Sequence, residues 1–321
     1  MALLEIRGLT VDFHGPRPLR AVDGVELDVE AKECVAIVGE SGSGKSQLLF
    51  ACAGLLAANG TARGSVRFGG RELLGPGDPA AAVRGRGIGF VFQDAGGSLT
   101  PHRRIGDLLA EAAVAARGVS WREARQEGAR MLERVRLPDA ARLLAQYPHE
   151  LSGGMRQRAA LALARMPGPR LLFADEPTTA LDVTVQADIV TLLAELCRDL
   201  DMGLLLVTHD LGVVASLAER IAVMYAGRVV EMARAERFLG GPRHPYGAGL
   251  LQAVPALGDA TGPLRTIAGL PPAPGTAFAG CRFEPRCSRA AERCRAEDPP
   301  LAAHEGGSVA CHFPLAGGER P

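Results

Sequence analysis

An α/β fold organised around a parallel sheet is what this 321-residue sequence predicts. Three observations carry the expectation. Residues 1 to about 93 alternate short apolar runs with turn signals. A glycine-rich loop joins one of those strands to a helix. Residues 154 to 239 alternate helical and strand periods, the pattern of βαβ units.

Taken in order, the strand runs are Leu4–Leu9, Val25–Val29, Val35–Val38, Ser65–Phe68 and Ile88–Phe92. Residues 102 to about 148 read as helical, with Leu108, Leu109, Ala112 and Ala116 at helical spacing and Met131, Leu132 and Val135 repeating it. Next come Met155–Met166 (helix), Leu171–Ala174 (strand), Val183–Leu200 (helix), Leu204–Thr208 (strand), Leu211–Leu217 (helix) and Ile221–Tyr225 (strand). From about Gly240 glycine and proline crowd in, and four of the seven cysteines fall there.

Charge is balanced at 36 basic and 36 acidic residues, which argues against holding nucleic acid by bulk electrostatics. No run of 18 apolar residues is present, and Met1–Thr10 lacks a secretory layout, so a cytosolic setting is expected. All basic residues except Lys32 and Lys45 are arginine, the bias a GC-rich genome imposes.

Gly39-Glu-Ser41-Gly42-Ser-Gly44-Lys45-Ser46 fits G-x-x-x-x-G-K-[ST], between the strand Cys34–Val38 and the helix that opens at Gln47. Glycines let successive backbone N–H groups approach phosphate oxygens, and the helix N-terminus adds a positive dipole. Lys45 supplies a compact charge for the β- and γ-phosphates, and Ser46 a hydroxyl for Mg²⁺.

Leu171–Pro177 is an apolar strand that ends in two carboxylates. Asp175 is suited to hold Mg²⁺, and Glu176 to take a proton from an attacking water. His209 follows a second buried strand, where it can meet the γ-phosphate or the water. Gln93 ends a third and can reach Mg²⁺ or water there. Each of these has an ordinary alternative: an acidic turn, a structural histidine, a polar loop residue. Leu151-Ser152-Gly153-Gly154-Met-Arg-Gln157 precedes a helix that Ser152 would cap, a second anion-binding helix start. With one phosphate cradle already present, that second start suggests a site completed by another subunit.

The order Gly39–Ser46, Gln93, Leu151–Gln157, Leu171–Glu176, Ala180–Asp182 and His209 resembles the ATP-binding-cassette (ABC) ATPases over residues 3 to 235. The resemblance implies a RecA-like P-loop NTPase core with an antiparallel β subdomain and a helical signature subdomain at about 94–165. It makes Gly39–Ser46 the Walker A loop, Gln93 the Q-loop, Leu151–Gln157 the signature and Asp175 the Walker B aspartate. Glu176 becomes the catalytic base, Asp182 the D-loop aspartate, His209 the switch, and Phe13 the aromatic that stacks on adenine. Ser98-Leu-Thr-Pro101, Asp175–Gln186, His244-Pro-Tyr246 and Gly280–Cys287 narrow it to the dipeptide, oligopeptide and nickel importers. The signature's Met155, where the family consensus has Gln, is similar to the "D" subunit of dipeptide and oligopeptide permeases.

That implies an ATPase domain at 1–239, a small Cys-containing C-terminal extension at 240–321, and hydrolysis of ATP with Mg²⁺. It also implies a heterodimer with a second, paralogous ABC ATPase, two transmembrane permease subunits, and an extracytoplasmic solute-binding protein acting indirectly. The place implied is peripheral, on the cytoplasmic face of the inner membrane of a bacterium. The substrate implied is a di- or oligopeptide, with nickel or another small solute as the alternative. A soluble ABC ATPase acting on nucleic acid or ribosomes is disfavoured by the single cassette and neutral charge. An ATP-binding regulator is disfavoured by intact Glu176 and His209.

Cys281, Cys287, Cys294 and Cys311 have the spacing C-x5-C-x6-C-x16-C, wide for a zinc ribbon. Clustered thiols in a cytosolic chain favour metal over disulfides. A thiolate-only set suits a 4Fe-4S cluster, which the resemblance also implies, with zinc or no metal as the other outcomes. Cys34, Cys52 and Cys197 fall on apolar faces and read as core.

Overall fold

A computed structural model describes residues 2–179, 181–254 and 266–316. The chain divides into two units: Met1–Val29, Cys34–Pro79 and Val207–Pro321 form one, and Glu30–Glu33 with Ala80–Leu206 form the other.

The first unit begins with β1 (Leu4–Phe13), β2 (Leu19–Val29), β3 (Cys34–Val38), α1 (Lys45–Ala53), β4 (Gly60–Phe68) and β5 (Arg71–Glu72). β1, β2, β4 and β5 form an antiparallel sheet in the order β2-β1-β4-β5. Both β1 and β2 outrun the apolar stretches read from sequence, because polar residues such as Asp12, Arg20 and Asp23 alternate there with buried Val11 and Val22. β3 is buried at every position, as its unbroken apolar run requires.

The second unit carries β6 (Ile88–Val91), α2 (Ala95–Ser98), α3 (Ile105–Arg117), α4 (Trp121–Arg134), α5 (Ala140–Ala145), α6 (Gly153–Arg165), β7 (Leu171–Asp175), α7 (Val183–Asp199) and the start of β8 (Gly203–Thr208). β6 and β7 pair in parallel, and β8 lies on the other side of β7. α3 presents Leu108, Leu109 and Ala113 to the interior, and α4 presents Ala124, Met131 and Leu132. Gly128 of α4 leaves room for Leu109, whose Cβ an added methyl would meet at 3.3 Å. Ser120 opens α4 with a capping box shared with Glu123.

The chain returns to the first unit with α8 (Leu211–Leu217), β9 (Arg220–Tyr225), β10 (Arg228–Arg234), α9 (Ala235–Gly240), α10 (Pro245–Gln252), α11 (Glu292–Ala296), β11 (Ala302–His304) and β12 (Gly307–Val309). β3 and β9 pair in parallel. β10 turns back antiparallel to β9, and β12 and β11 continue antiparallel beyond it.

The expectation that residues 154 to 239 read as βαβ units feeding a parallel sheet therefore fails at β10, which pairs antiparallel to β9. The turn between the strands places Ala226 at φ 45° and Gly227 at φ 85°. Two left-handed residues make the tight hairpin that matches strand twist, and alanine does not advertise that conformation. The core here joins Val38, Ile221, Val223, Tyr225, Phe238, Tyr246 and Phe283. In a chain with 4% aromatic residues, four rings gather at this place: Tyr225 lies 4.6 Å from Tyr246 and 5.2 Å from Phe283, and His244 lies 5.7 Å from Phe283.

Candidate functional site

The phosphate loop turns between β3 and α1. Its conformation is fixed by sterics: a methyl at Gly39 would meet the Met224 carbonyl oxygen at 2.2 Å, and one at Gly44 (φ 101°) the Ala21 carbonyl oxygen at 2.1 Å. Ser41 and Gly42 are exposed at its crest, and open space surrounds the Gly42 Cα. α1 follows Gly44 without a side-chain cap, and its N-terminus carries the positive end of the helix dipole. Lys45 is buried, and its Nζ donates to the carbonyls of Gly39 and Glu40, both at 2.8 Å. The buried Ser43 hydroxyl has no hydrogen-bond partner among the described residues. An orphaned hydroxyl in a glycine cradle fits an oxyanion. Ser46 stands half-buried on the first turn of α1.

In the second unit, β7 ends at Asp175, whose side chain is buried. Glu176 follows at φ 43°, a left-handed conformation that costs a non-glycine residue about 1 kcal/mol or more. Its Oε2 accepts from Thr179 Oγ1 at 2.9 Å and from Gln93 Nε2 at 3.3 Å. Gln93 and Glu176, 83 residues apart in sequence, are thus brought together by the parallel pairing of β6 and β7. Thr179 was invisible to sequence reasoning, although its place three residues after Glu176 is that of a local side-chain clamp. Nearby, Gln186 donates from its side chain to the Thr178 carbonyl at 3.0 Å.

Ser152 caps α6 by accepting from the Met155 N–H at 3.3 Å. Ser152 and Gly153 are exposed and Gly154 half-buried, and a methyl at Gly154 would meet Val185 at 2.9 Å. Asp182 is exposed and caps α7 through Val185 N–H at 3.0 Å. Ala180, the first residue of that loop's motif, lies outside the described residues. In the first unit, exposed His209 follows β8, and Asp210 beside it caps α8. Phe13 ends β1 half-buried, next to Gly60.

Ser46 in the first unit, and Gln93 and Asp175 in the second, each offer the oxygen donor that a hard cation such as Mg²⁺ takes. Among the described residues no three His, Cys, Asp or Glu side chains converge as a metal-holding group. A Mg²⁺ that takes one carboxylate and completes its shell from phosphates and water needs no such group.

In the extension, Cys281, Cys287, Cys294 and Cys311 line one small cavity together with His244, Phe283 and Phe313. All four are free thiols. Burial pushes Cys281 and Cys311 up to about 11, and the neighbouring thiols add to it. Burial likewise pushes Cys197 up to about 12 and raises Cys52, in keeping with their core positions.

The extension is anchored by a residue that sequence reasoning missed. Glu231 of β10 is fully buried, and accepts from Arg237 Nη1 at 3.0 Å, Arg243 N–H at 2.7 Å and His244 N–H at 2.8 Å. Burial raises its pKa, and the three donors oppose that shift. His244 caps α10 by accepting the Tyr246 N–H on Nδ1 at 3.0 Å. Burial lowers His244 to about 3, so the ring stays neutral.

A glycine cradle with a buried lysine in one unit, and in the other a strand ending in buried Asp175 followed by a Glu176 held by Gln93 and Thr179, are elements of a P-loop nucleotide hydrolase. Residues 22–179 match the family model "ABC transporter", and residues 230–294 match "Oligopeptide/dipeptide transporter, C-terminal region". The chain is 46% identical to the oligopeptide transport ATP-binding protein OppD of Salmonella typhimurium, over 98% of this chain and 94% of that one. It is 40% identical to the oligopeptide transport ATP-binding protein AppD of Bacillus subtilis, over 96% of each. The solved dimer of the ATP-binding cassette MJ0796 bound to ADP and Pi superposes with a TM-score of 0.64 at 29% identity, covering 72% of this chain and 98% of that one. The cbiO1 protein of Clostridium perfringens, part of the ABC transporter complex cbiONQ, gives 0.63 at 26% identity, covering 73% and 89%. The chain belongs to the ATP-binding-cassette transporter family, as an ATP-hydrolysing subunit of the type that carries the oligopeptide/dipeptide C-terminal region.

Proposed function

We propose that this chain energises import of di- or oligopeptides across the bacterial inner membrane, from its cytoplasmic face. The carrying observation is the joint match of cassette and C-terminal region to peptide-import ATPases over 98% of the chain. Among the described residues no helix is long and apolar enough to cross a membrane. The chain therefore works through two transmembrane permease subunits, fed by an extracytoplasmic solute-binding protein. Its nearest partner is a second, paralogous ATPase, and no nucleic acid is involved.

Residue roles follow the chemistry. Backbone N–H groups from Gly39 to Ser46, with Ser41, Gly42 and Gly44 at the crest, cradle the phosphates, and Lys45 turns its ammonium to the β- and γ-oxygens. Ser46, Gln93 and Asp175 hold Mg²⁺, which when bound neutralises charge on the phosphates. Glu176, oriented by Thr179 and Gln93, draws a proton from the attacking water, and His209 steadies the water and γ-phosphate. Phe13 packs on adenine. Ser152, Gly153 and Gly154 serve the partner's nucleotide, as the partner's signature serves this one, and Asp182 lines that junction. The division of labour is 1–239 for the ATPase domain, with a helical subdomain at about 94–165, and 240–321 for the extension.

The cysteine cavity suits a 4Fe-4S cluster better than zinc. A cubane carries its thiolates at separate corners, whereas zinc needs all four around one point. Such a cluster would cross-link segments from Cys281 to Cys311. Anaerobically purified protein should then hold about four irons and show thiolate-to-iron absorption in the visible. Colourless, iron-free protein would overturn this.

Purification of a tagged chain from its native membranes tests the assignment. It should bring down two polytopic subunits and a second cassette ATPase, and deletion should abolish peptide uptake. Recovery alone, with uptake intact, would refute it.

A further inference from the structure

Glu40 is the second residue of the phosphate loop, a position whose side chain the motif leaves open. In the structure it is bound on three sides. Its carbonyl accepts from Lys45 Nζ at 2.8 Å. Its N–H donates to the Tyr246 hydroxyl at 2.8 Å. Its carboxylate takes both terminal nitrogens of Arg286, at 2.6 and 3.0 Å. The Arg286 side chain is 4% exposed and lies 5.8 Å from the Tyr225 ring centroid and 5.9 Å from that of Phe283. Its Nε donates to the Ala268 carbonyl at 2.9 Å. Two of the three holds on Glu40 therefore come from the extension.

A second grip lies next to the first. The Ser43 carbonyl accepts from the Gly227 N–H at 2.9 Å, and Arg282 donates to the Ala226 carbonyl at 2.6 Å. Arg282 is also paired with Asp23. Arg282 and Arg286 flank Phe283 in the segment between Cys281 and Cys287. One segment thus reaches the glycine loop twice, directly at Glu40 and, through the turn at Ala226 and Gly227, at Ser43.

We propose that Arg286 and Tyr246 are positioning residues of the nucleotide site: through Glu40, the extension holds the phosphate loop in its binding shape. The physical need is plain. Glycine gives the loop close approach to phosphate at the cost of many competing backbone states. A bidentate, part-buried pair on the adjacent non-glycine residue removes those states before the ligand arrives. The proposal rests on the assignment of Gly39–Ser46 as the nucleotide cradle.

The test uses the full chain with its partner subunits, and reads fluorescent-ATP affinity together with KM and kcat for ATP. Arg286→Ala should weaken affinity and raise KM about tenfold, the effect of losing a charge-assisted pair, while kcat changes less than about twofold. Arg286→Lys should recover part of the loss. Glu40→Gln should match Arg286→Ala, and the double variant should be no worse than either single one. A merely structural arginine would lower the melting temperature and leave affinity and KM unchanged. That result, or additive losses, would overturn the proposal. If Arg286→Ala does not fold, Glu40→Gln decides alone, because it leaves the extension intact. Lys45→Ala separates the two levels: normal nucleotide binding in that variant would fault the cradle assignment itself.

Discussion

The phosphate loop is shaped by its backbone, whereas the C-terminal extension is held by side chains. In the loop, Gly39 and Gly44 sit where a methyl would strike a carbonyl oxygen at 2.2 and 2.1 Å, and Lys45 binds two main-chain carbonyls. At the base of the extension, buried Glu231 of β10 gathers Arg237, Arg243 and His244, and inside it an aromatic cluster surrounds Arg286. Backbone shape tolerates almost no substitution, but it leaves the loop dependent on support from outside. Side-chain networks tolerate more change at each position, but fail as a unit when a buried charge loses its partners. The two regions meet at Glu40, one residue that belongs to the loop by sequence and to the extension by its bonds.

The sharpest break in this comparison comes at Lys45. Lys45→Arg should cut ATP turnover by at least about a hundredfold, because a planar guanidinium does not fit the place of a compact ammonium. Phosphate release by the folded variant measures it.

Next in size is Glu231→Ala, which strands Arg237 and the N–H groups of Arg243 and His244 in the interior. Loss of one side of such a network costs about 3–5 kcal/mol, readable by urea unfolding. A loss under about 1 kcal/mol would mean that the extension is not held by this carboxylate.

A smaller effect is set by pH. His244 stays neutral in the folded chain down to about pH 3, while the unfolded chain takes up the proton near its ordinary 6.5. Stability at this site is therefore complete above that value and falls as pH drops through it, by about 2 kcal/mol between pH 7 and 5. His244→Asn, which keeps the cap on α10, should remove this share of the slope.

The smallest effect is expected at Lys32. It stands in an exposed turn, with an exposed ion pair to Asp201 at 2.7 Å, so Lys32→Arg should change stability by less than about 0.5 kcal/mol.

The same contrast explains what the sequence made legible. Motifs that demand particular backbone conformations or residue types in fixed order, such as Gly39–Ser46 and the strand ending at Asp175, were readable. So were the caps at Ser152 and the buried strands β3, β7 and β8. The hairpin from β9 to β10 was not, because its first left-handed residue is Ala226 rather than glycine or asparagine. Glu231 looked like any polar residue on a strand, and Arg286 like one of many arginines. Their roles depend on partners that only folding assembles. Thr179 and Glu40 sit inside recognised motifs, yet at positions where the pattern prescribes no function. The four cysteines, clustered in the sequence, line one cavity, and among the described residues no three such side chains form a metal-holding group.

The central claim is that ATP bound at the Lys45 cradle is cleaved with Glu176 as base. Single-turnover hydrolysis by the assembled complex carrying Glu176→Gln tests it most directly. ATP should bind with near-native affinity and remain uncleaved over many wild-type turnover times. Cleavage at the wild-type rate would contradict the account.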